Sequence, residues 1–158
     1  MAVFSKISQK NLKNFLSTFN IGDLMHYEGI QAGTENTNYF VYTTEGSYVL
    51  TIFEKLKIDE APFYLSLMRH LAKRRTPCPL PILNKNNEII QLFNNKPATI
   101  VSKLEGKAVE HPNSFHCYEI GKALAIAHQD ALDFTEIRGN TRSLLWWKKT
   151  CPNLLKFL

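Results

Sequence analysis

The sequence contains few of the residues that cross-link or anchor a small protein. Its three cysteines, Cys78, Cys117 and Cys151, are odd in number and widely spaced, so they predict neither a disulfide framework nor a zinc knuckle. No segment approaches the roughly 18 consecutive apolar residues that cross a bilayer. The first ten residues also lack a basic region followed by an apolar stretch. These absences predict a cytoplasmic protein with reduced thiols and no membrane contact.

Long runs of one charge are also scarce. The formal net charge is +5, yet 73–75 is the only run of three basic residues. A nucleic-acid binder is expected to show a basic stripe interleaved with exposed aromatic residues, and none is visible, which argues against a nucleic-acid partner. A small phosphorylated ligand, or an acidic remainder of a longer chain, accounts for the excess charge equally well. With 158 residues, 44% of them hydrophobic, the chain can form one globular core.

Hydrophobic periodicity predicts the elements of the first half. Ser8 is the expected N-cap of a helix whose apolar face carries Leu12, Phe15, Leu16 and Phe19. Short segments rich in β-branched and aromatic residues then predict strands, two of them joined by a turn at Glu45-Gly46. The predicted strands are 26–30, 37–44 and 47–53.

A second helix and two further strands complete the predicted first domain. Asp59 and Pro62 are expected to open a helix that ends near Arg74. Three prolines make 76–81 an extended connector. Strands over 88–93 and 97–104, with a turn at Asn94-Asn95, follow it. This order predicts an α+β fold with the layout of a protein-kinase N-lobe, a five-stranded antiparallel sheet plus a helix.

The remaining chain is predicted to be helical. Cys117, Gly121, Leu124, Ala125 and His128 share one helix face, and their small side chains predict that this face packs closely on a neighbour. The apolar stretch from Ser143 to Leu158 has no closing cap or polar tail, which predicts coverage by a second subunit or by a continuation of the chain. We therefore divide the chain into a nucleotide-binding N-lobe with its N-terminal helix, 1–103, and the exit from a hinge with the first helices of an incomplete C-lobe, 104–158.

The segment from Gly29 to Asn38 contains two glycines and two asparagines between predicted strands. Glycines let backbone N–H groups approach phosphate oxygens, and asparagines can donate there or stabilise a sharp turn. Taken alone, the segment fits a plain hairpin loop better, since it has neither a Gly-x-Gly-x-x-Gly nor a P-loop pattern. Where protein kinases place a lysine and its partner glutamate, this sequence has Thr51 and Tyr64.

Five strings, in register, carry a family resemblance. They are Gly-Ile-Gln-Ala-Gly-Thr-Glu-Asn-Thr-Asn-Tyr-Phe, Gly-Ser-Tyr-Val-Leu-Thr-Ile-Phe-Glu-Lys, Leu-Met-Arg-His-Leu-Ala, Pro-Cys-Pro-Leu-Pro-Ile and Leu-Glu-Gly-Lys. In this order the sequence resembles the N-terminal half of bacterial homoserine kinases with the aminoglycoside phosphotransferase and choline kinase fold. The resemblance extends from Met1 to about Trp147. It also implies that a threonine in the third strand, as at Thr51, is normal for these kinases.

The resemblance implies a nucleotide site made largely of backbone and amide groups. Gly29, Gly33, Asn36 and Asn38 would cover the phosphates of ATP, while Ile30 and Val49 would flank adenine. Backbone groups of the hinge residues Ser102, Lys103 and Leu104 would bind the adenine edge. Thr51 would contribute a hydroxyl group, and Lys55 is expected near the end of its strand.

The resemblance also implies that the catalytic residues lie outside this sequence. Such kinases carry a His-x-Asp-x-x-x-x-Asn segment, whose aspartate accepts the hydroxyl proton and whose asparagine holds Mg²⁺, and a later metal-binding aspartate. Asp130 and Asp133 are the only aspartates after the hinge, and neither has an asparagine at the required distance. His128 precedes Asp130 as the motif requires but is expected to face a helix core. We therefore predict no catalytic and no metal-binding residue in this chain.

Several functions remain open from sequence. The first is a homoserine kinase of threonine biosynthesis, which uses ATP and Mg²⁺ to phosphorylate the hydroxyl group of L-homoserine; this chain supplies the N-terminal half and is inactive alone. The alternatives are a choline, aminoglycoside or sugar kinase of the same fold, and a truncated remnant without activity. The adjacent Trp146 and Trp147 can stack on a base, but a core or interface role is favoured.

Overall fold

The computed structural model describes residues 3–157, without the side chain of Phe157. Residues 1–2 of the predicted N-lobe and Leu158 of the apolar stretch lie outside this part. The helices are α1 Gln9–Leu16, α2 Ala61–Ala72, α3 Ser114–Asp130 and α4 Leu144–Leu154, and a 3-10 turn spans Leu155–Phe157. The strands are β1 Leu24–Gly29, β2 Asn36–Thr43, β3 Gly46–Phe53, β4 Gln91–Phe93 and β5 Lys96–Ser102.

The strands form one antiparallel sheet in the order β1-β2-β3-β5-β4. This arrangement confirms the predicted five-stranded sheet with one helix, α2, after its third strand. Alternate residues of β2 are buried, as expected when one sheet face lies on a core. We call this buried side the closed face and the opposite side the open face.

Helix α1 covers the closed face and completes its core. The Ser8 hydroxyl accepts a hydrogen bond from the Asn11 N–H at 3.1 Å, which confirms the predicted N-cap. The Phe15 ring meets the Phe93 ring edge-on, with centroids 4.8 Å apart. The fully buried members of this core come from the helix, the loop after it and the central strands: Leu12, Ile21, Val41, Leu50, Ile52 and Ile100.

Local hydrogen bonds explain where the observed strands are shorter than predicted. Glu88 was expected to begin a strand, but its N–H donates to the Asn84 side-chain oxygen at 2.9 Å, in a turn that delays β4 to Gln91. Strand β5 ends at Ser102, whose N–H donates to the Leu80 carbonyl of the proline-rich connector at 2.9 Å. The predicted turn at Asn94-Asn95 is confirmed, since both residues have positive φ, 50° and 64°.

Smaller differences concern the ends of two other elements. The hairpin between β2 and β3 turns at Thr44-Glu45, one residue earlier than predicted. Helix α2 is preceded by Glu60 rather than Asp59 at the N-cap, and Pro62 lies in the first turn as expected. Among residues 3–157, no helix combines the length and apolar character required to span a bilayer.

The α3 face that was predicted to pack closely has no covering surface among residues 3–157. Cys117, Gly121, Leu124, Ala125 and His128 are all exposed in the described chain, and a Cβ added at Gly121 would meet no atom within 4 Å. The helix instead turns its other side, including Ile126 and Ala127, toward the rest of the molecule. His128 is therefore exposed and faces no core formed by residues 3–157.

Asp130 holds the end of α3 against the segment after α2. Its carboxylate, in a residue only 5% exposed, accepts hydrogen bonds at 3.0 Å from the Arg75 N–H, the Arg75 guanidinium and the Thr76 hydroxyl. Burial alone would raise the pKa of Asp130, but these hydrogen bonds and the charge of Arg75 lower it below its ordinary value.

This carboxylate predicts a specific loss of stability in acid. Because the folded-state pKa of Asp130 is lowered, its stabilising contribution is present above the unfolded pKa and is lost as pH falls through the folded value. We expect urea unfolding midpoints of the wild type to fall as pH drops below about 5, and to fall less for Asp130→Asn. The exposed Asp59→Asn variant is the control. If the unfolding midpoint of Asp130→Asn falls with pH as steeply as that of the wild type, the role assigned to Asp130 is contradicted.

Candidate functional site

The open face of the sheet collects most of the residues predicted to bind nucleotide. Across β2 and β3, Asn38 pairs with Thr51 and Phe40 pairs with Val49. These four residues are half-buried and alternate with the core residues of their strands, so they point to the same side. Asn36 lies at the start of β2 on this side. Ile30, whose N–H donates to the Asn38 carbonyl at 2.9 Å, borders the face at the end of β1.

A neutral hydrogen bond occupies the centre of the open face. The Thr51 hydroxyl donates to the Asn38 side-chain oxygen at 2.8 Å. This bond fixes the Asn38 amide so that its NH₂ group is the end left to donate to a ligand. Thr51 therefore orients a neighbouring donor, a role that its position in the sequence did not indicate.

Gly29 and Gly33 of this loop each require glycine for a different structural reason. Gly33 has φ of 117°, a conformation that favours glycine. Gly29 lies opposite Tyr39 on the closed-face side, and a Cβ there would come within 2.9 Å of the Val3 side chain. Gly29 thus lets the N-terminal segment approach the sheet, while the backbone between β1 and β2 bends at Gly33.

The predicted hinge leaves the sheet with part of its backbone already bonded. The Ser102 N–H is used by Leu80, and the Lys103 N–H donates to the Ser47 carbonyl at 3.1 Å. Leu104, 49% exposed, follows in extended chain, and within residues 3–157 its N–H has no hydrogen-bond partner. A planar ligand at this edge therefore has the Leu104 N–H as its available backbone donor among the three.

Lys103 also contributes a side chain, which sequence reasoning did not indicate. Its ammonium nitrogen lies 5.5 Å from the centroid of Phe40 and 5.8 Å from that of Tyr42. The two rings project from alternate positions of β2, so the lysine lies over the open face at the hinge end. The β2 alternation locates both rings, but only the fold brings Lys103 to them.

A cavity of about 600 Å³ lies beside the other end of the open face. We call it the lateral cavity. It is formed where β2 begins, β3 ends, α2 begins and the loop 138–142 crosses. Lys55 lines this cavity, two residues beyond Phe53, whereas the intervening Glu54 turns to the closed side and pairs with Lys96. Arg138 and Arg142 of this loop were not predicted as site residues. A short segment without hydrophobic periodicity does not indicate which parts of the fold it will contact.

The two aspartates after the hinge, Asp130 and Asp133, are bonded to other parts of the chain. The Asp133 carboxylate is paired with Arg74 and also bonds the His70 ring at 3.1 Å. The hydrogen bond from Arg74 is the main reason that the pKa of Asp133 is lowered. In the described part of the chain no three His, Cys, Asp or Glu side chains form a group able to hold a metal ion. The residues described do not, by themselves, fit Mg²⁺.

The antiparallel sheet, the helix after its third strand, the polar open face and the extended exit toward helices together define a kinase-like N-lobe with part of a helical region. The chain belongs to the phosphotransferase enzyme family, APH, which matches residues 26–158.

Several homoserine kinases are similar to this chain. Homoserine kinases from Paraburkholderia phytofirmans and Paraburkholderia phymatum are 45% and 44% identical to it over all 158 residues. The chain spans about half the length of these curated relatives, 48% and 49%. Among solved structures, it superposes on a spectinomycin phosphotransferase in complex with ADP and spectinomycin with a TM-score of 0.61. The two are 18% identical, and the match covers 90% of this chain and 45% of that one, which supports the shared fold.

Proposed function

We propose that this chain is the nucleotide-binding half of a homoserine kinase, which transfers the γ-phosphate of ATP to the hydroxyl group of L-homoserine. The observation that carries the proposal is the 45% identity to a homoserine kinase along the whole chain. Under this proposal the protein acts in threonine biosynthesis in the cytoplasm, and a polypeptide corresponding to the relatives' other half completes it.

In this proposal adenine enters at the hinge end of the open face. Ile30 and Val49 flank the base, and the backbone of the segment 102–104 binds its edge. The free N–H of Leu104 and the apolar side of Val49 support this orientation. Lys103, held over the rings of β2 at the same end, is proposed to contact the ribose.

The phosphates then run along the open face toward the loop between β1 and β2. The Asn38 amide, oriented by Thr51, supplies a donor, and Asn36 and the bent backbone at Gly33 supply others. Gly29 belongs to the same hairpin but serves packing against Val3. Mg²⁺ is proposed to accompany ATP with ligands outside this chain, as phosphoryl transfer generally requires a metal.

The substrate is tested by joining this chain to the second half of the Paraburkholderia phytofirmans homoserine kinase. We expect the joined protein to turn over L-homoserine with Mg-ATP, because the matched halves place the open face against the catalytic residues. Choline, an aminoglycoside and a hexose are the comparison substrates, since kinases of this fold accept such molecules. Preference for any of them over L-homoserine contradicts the proposal, as does the absence of turnover by a joined protein that folds.

A further inference from the structure

The lateral cavity contains charged side chains of both signs. Two carboxylates, from Glu35 and Glu60, and three cations, from Lys55, Arg138 and Arg142, line it together with the amides of Asn36 and Asn140. Its volume of about 600 Å³ lies within the range of small-molecule sites. A cavity that presents both signs of charge to one ligand is suited to a molecule that also carries both.

Arg138 is fixed in the wall of this cavity. Its guanidinium pairs with Glu60 at 2.9 Å and stacks over the Tyr64 ring at 4.6 Å, and the side chain is 19% exposed. Its Nη1 atom is buried and has no hydrogen-bond acceptor among residues 3–157. Because this atom has almost no accessible surface, a ligand in the cavity does not reach it. The ion pair with Glu60 and the Tyr64 ring fix the rest of the guanidinium in the cavity wall.

Arg142 also lines the lateral cavity but is only loosely held. The Asn140 side-chain oxygen accepts the Arg142 N–H at 2.9 Å, which fixes the turn that presents the side chain. The guanidinium reaches Glu35 at 3.4 Å, and both side chains are mostly exposed, 73% and 62%. Such an exposed pair contributes little on its own, so each partner is free to pair with a ligand group instead.

We propose that the lateral cavity recognises the amino-acid part of the substrate. Arg142 and Lys55 bind its α-carboxylate, and Glu35 and Glu60 receive its α-ammonium group. This inference rests on the proposed function, because it assumes an amino-acid substrate. It assigns substrate recognition to the half of the enzyme that holds the nucleotide.

Charge balance favours a zwitterion over a phosphate chain. The three cations and two carboxylates of the cavity leave one excess positive charge, which suits a ligand without several negative charges. A triphosphate would bring more negative charge against Glu35 and Glu60 than this excess balances. The cavity also begins about 7 Å along β3 from Thr51, since Phe53 is two residues further along the strand. An amino acid there lies beside the proposed phosphate path and shares Asn36 with it.

The test is a titration of the 158-residue chain with L-homoserine, in which binding is measured from changes in NMR chemical shifts. Arg142→Ala is expected to weaken binding about tenfold, because it removes a forked donor to the carboxylate. Lys148→Ala, an exposed cation outside the cavity, is the matched control and is expected to bind as the wild type does. Two analogues complete the design: 3-aminopropan-1-ol, which lacks the carboxylate, and 4-hydroxybutanoate, which lacks the amine. Both are expected to bind more weakly than L-homoserine.

The possible outcomes test the amino-acid site in the lateral cavity and the homoserine kinase proposal separately. Arg142-dependent binding of L-serine or L-threonine, with none of L-homoserine, supports the zwitterion site and counts against homoserine as substrate. Equal binding of L-homoserine by wild type and Arg142→Ala overturns the site and leaves the kinase proposal standing. Weakened binding of Mg-ATP in Arg142→Ala, with homoserine unaffected, reassigns the cavity to phosphate. Failure of the wild-type chain to bind any amino acid also overturns the proposal.

Discussion

The 158-residue chain is expected to bind Mg-ATP and to transfer no phosphate to L-homoserine. Transfer requires a residue that positions the hydroxyl group and carboxylates that hold Mg²⁺. The two aspartates after the hinge cannot fill these roles, because Asp130 is bonded to Arg75 and Thr76, and Asp133 to Arg74 and His70. Their lowered pKa values also make both carboxylates poor general bases.

The predicted binding of Mg-ATP depends on Asn38. Replacing it by alanine removes the oriented amide donor, and a lost hydrogen bond to a charged ligand is expected to weaken Mg-ATP binding about tenfold, or about 1.4 kcal/mol. Isothermal titration measures this affinity, and Asn14→Ala, on the exposed side of α1, is the control. Equal affinities in wild type and Asn38→Ala contradict the assignment of the open face. Turnover by the chain alone, abolished by Asp133→Asn, would show that the catalytic argument is wrong.

The largest expected loss of stability follows from Leu50→Ala. Leu50 is fully buried on β3, in the middle of the sheet and under α1. Its truncation removes apolar contacts and leaves a cavity between two packed layers, which is expected to cost about 3 kcal/mol. Loss of that size is a large part of the stability of a typical domain. Urea unfolding followed by circular dichroism measures it.

The same substitution on α3 is the matched control. Leu124 is 54% exposed on the face that was predicted to be packed, so Leu124→Ala should change stability by no more than about 0.5 kcal/mol. A cost close to that of Leu50→Ala would show that the α3 face is covered in solution, for instance by a second copy of the chain. Concentration dependence of the unfolding midpoint would then identify self-association.

The sheet and its helices were predictable because their signals are local. A period of two in β2, a period near 3.6 in α1, the Ser8 cap and the Asn94-Asn95 turn each follow from a few neighbouring residues. The ends of β4 and β5 were not predicted well, because Asn84 and Leu80 take over backbone groups that the strand pattern assigns to the sheet. The domain boundary at 103 stays a prediction.

Of the proposed site, the sequence located the residues of the open face but not their relations. The bond between Thr51 and Asn38 joins neighbouring strands. Arg138 and Arg142 lie in a loop, and Arg138 is 78 residues further along the chain than Glu60, with which it pairs. The packing of the α3 face stays a prediction, because small residues at helical spacing indicate close packing without indicating where the partner surface lies. That partner is not among the residues described.

The neutral bond between Thr51 and Asn38 has a consequence for regulation. Protein kinases are switched by moving the helix after the third strand, which makes or breaks a lysine–glutamate ion pair. Here the strand presents Thr51, and Tyr64 of α2 is stacked under Arg138, so no such pair exists between these positions for a helix movement to break. A kinase built on this lobe therefore has no such ion pair between Thr51 and Tyr64 to use as a switch.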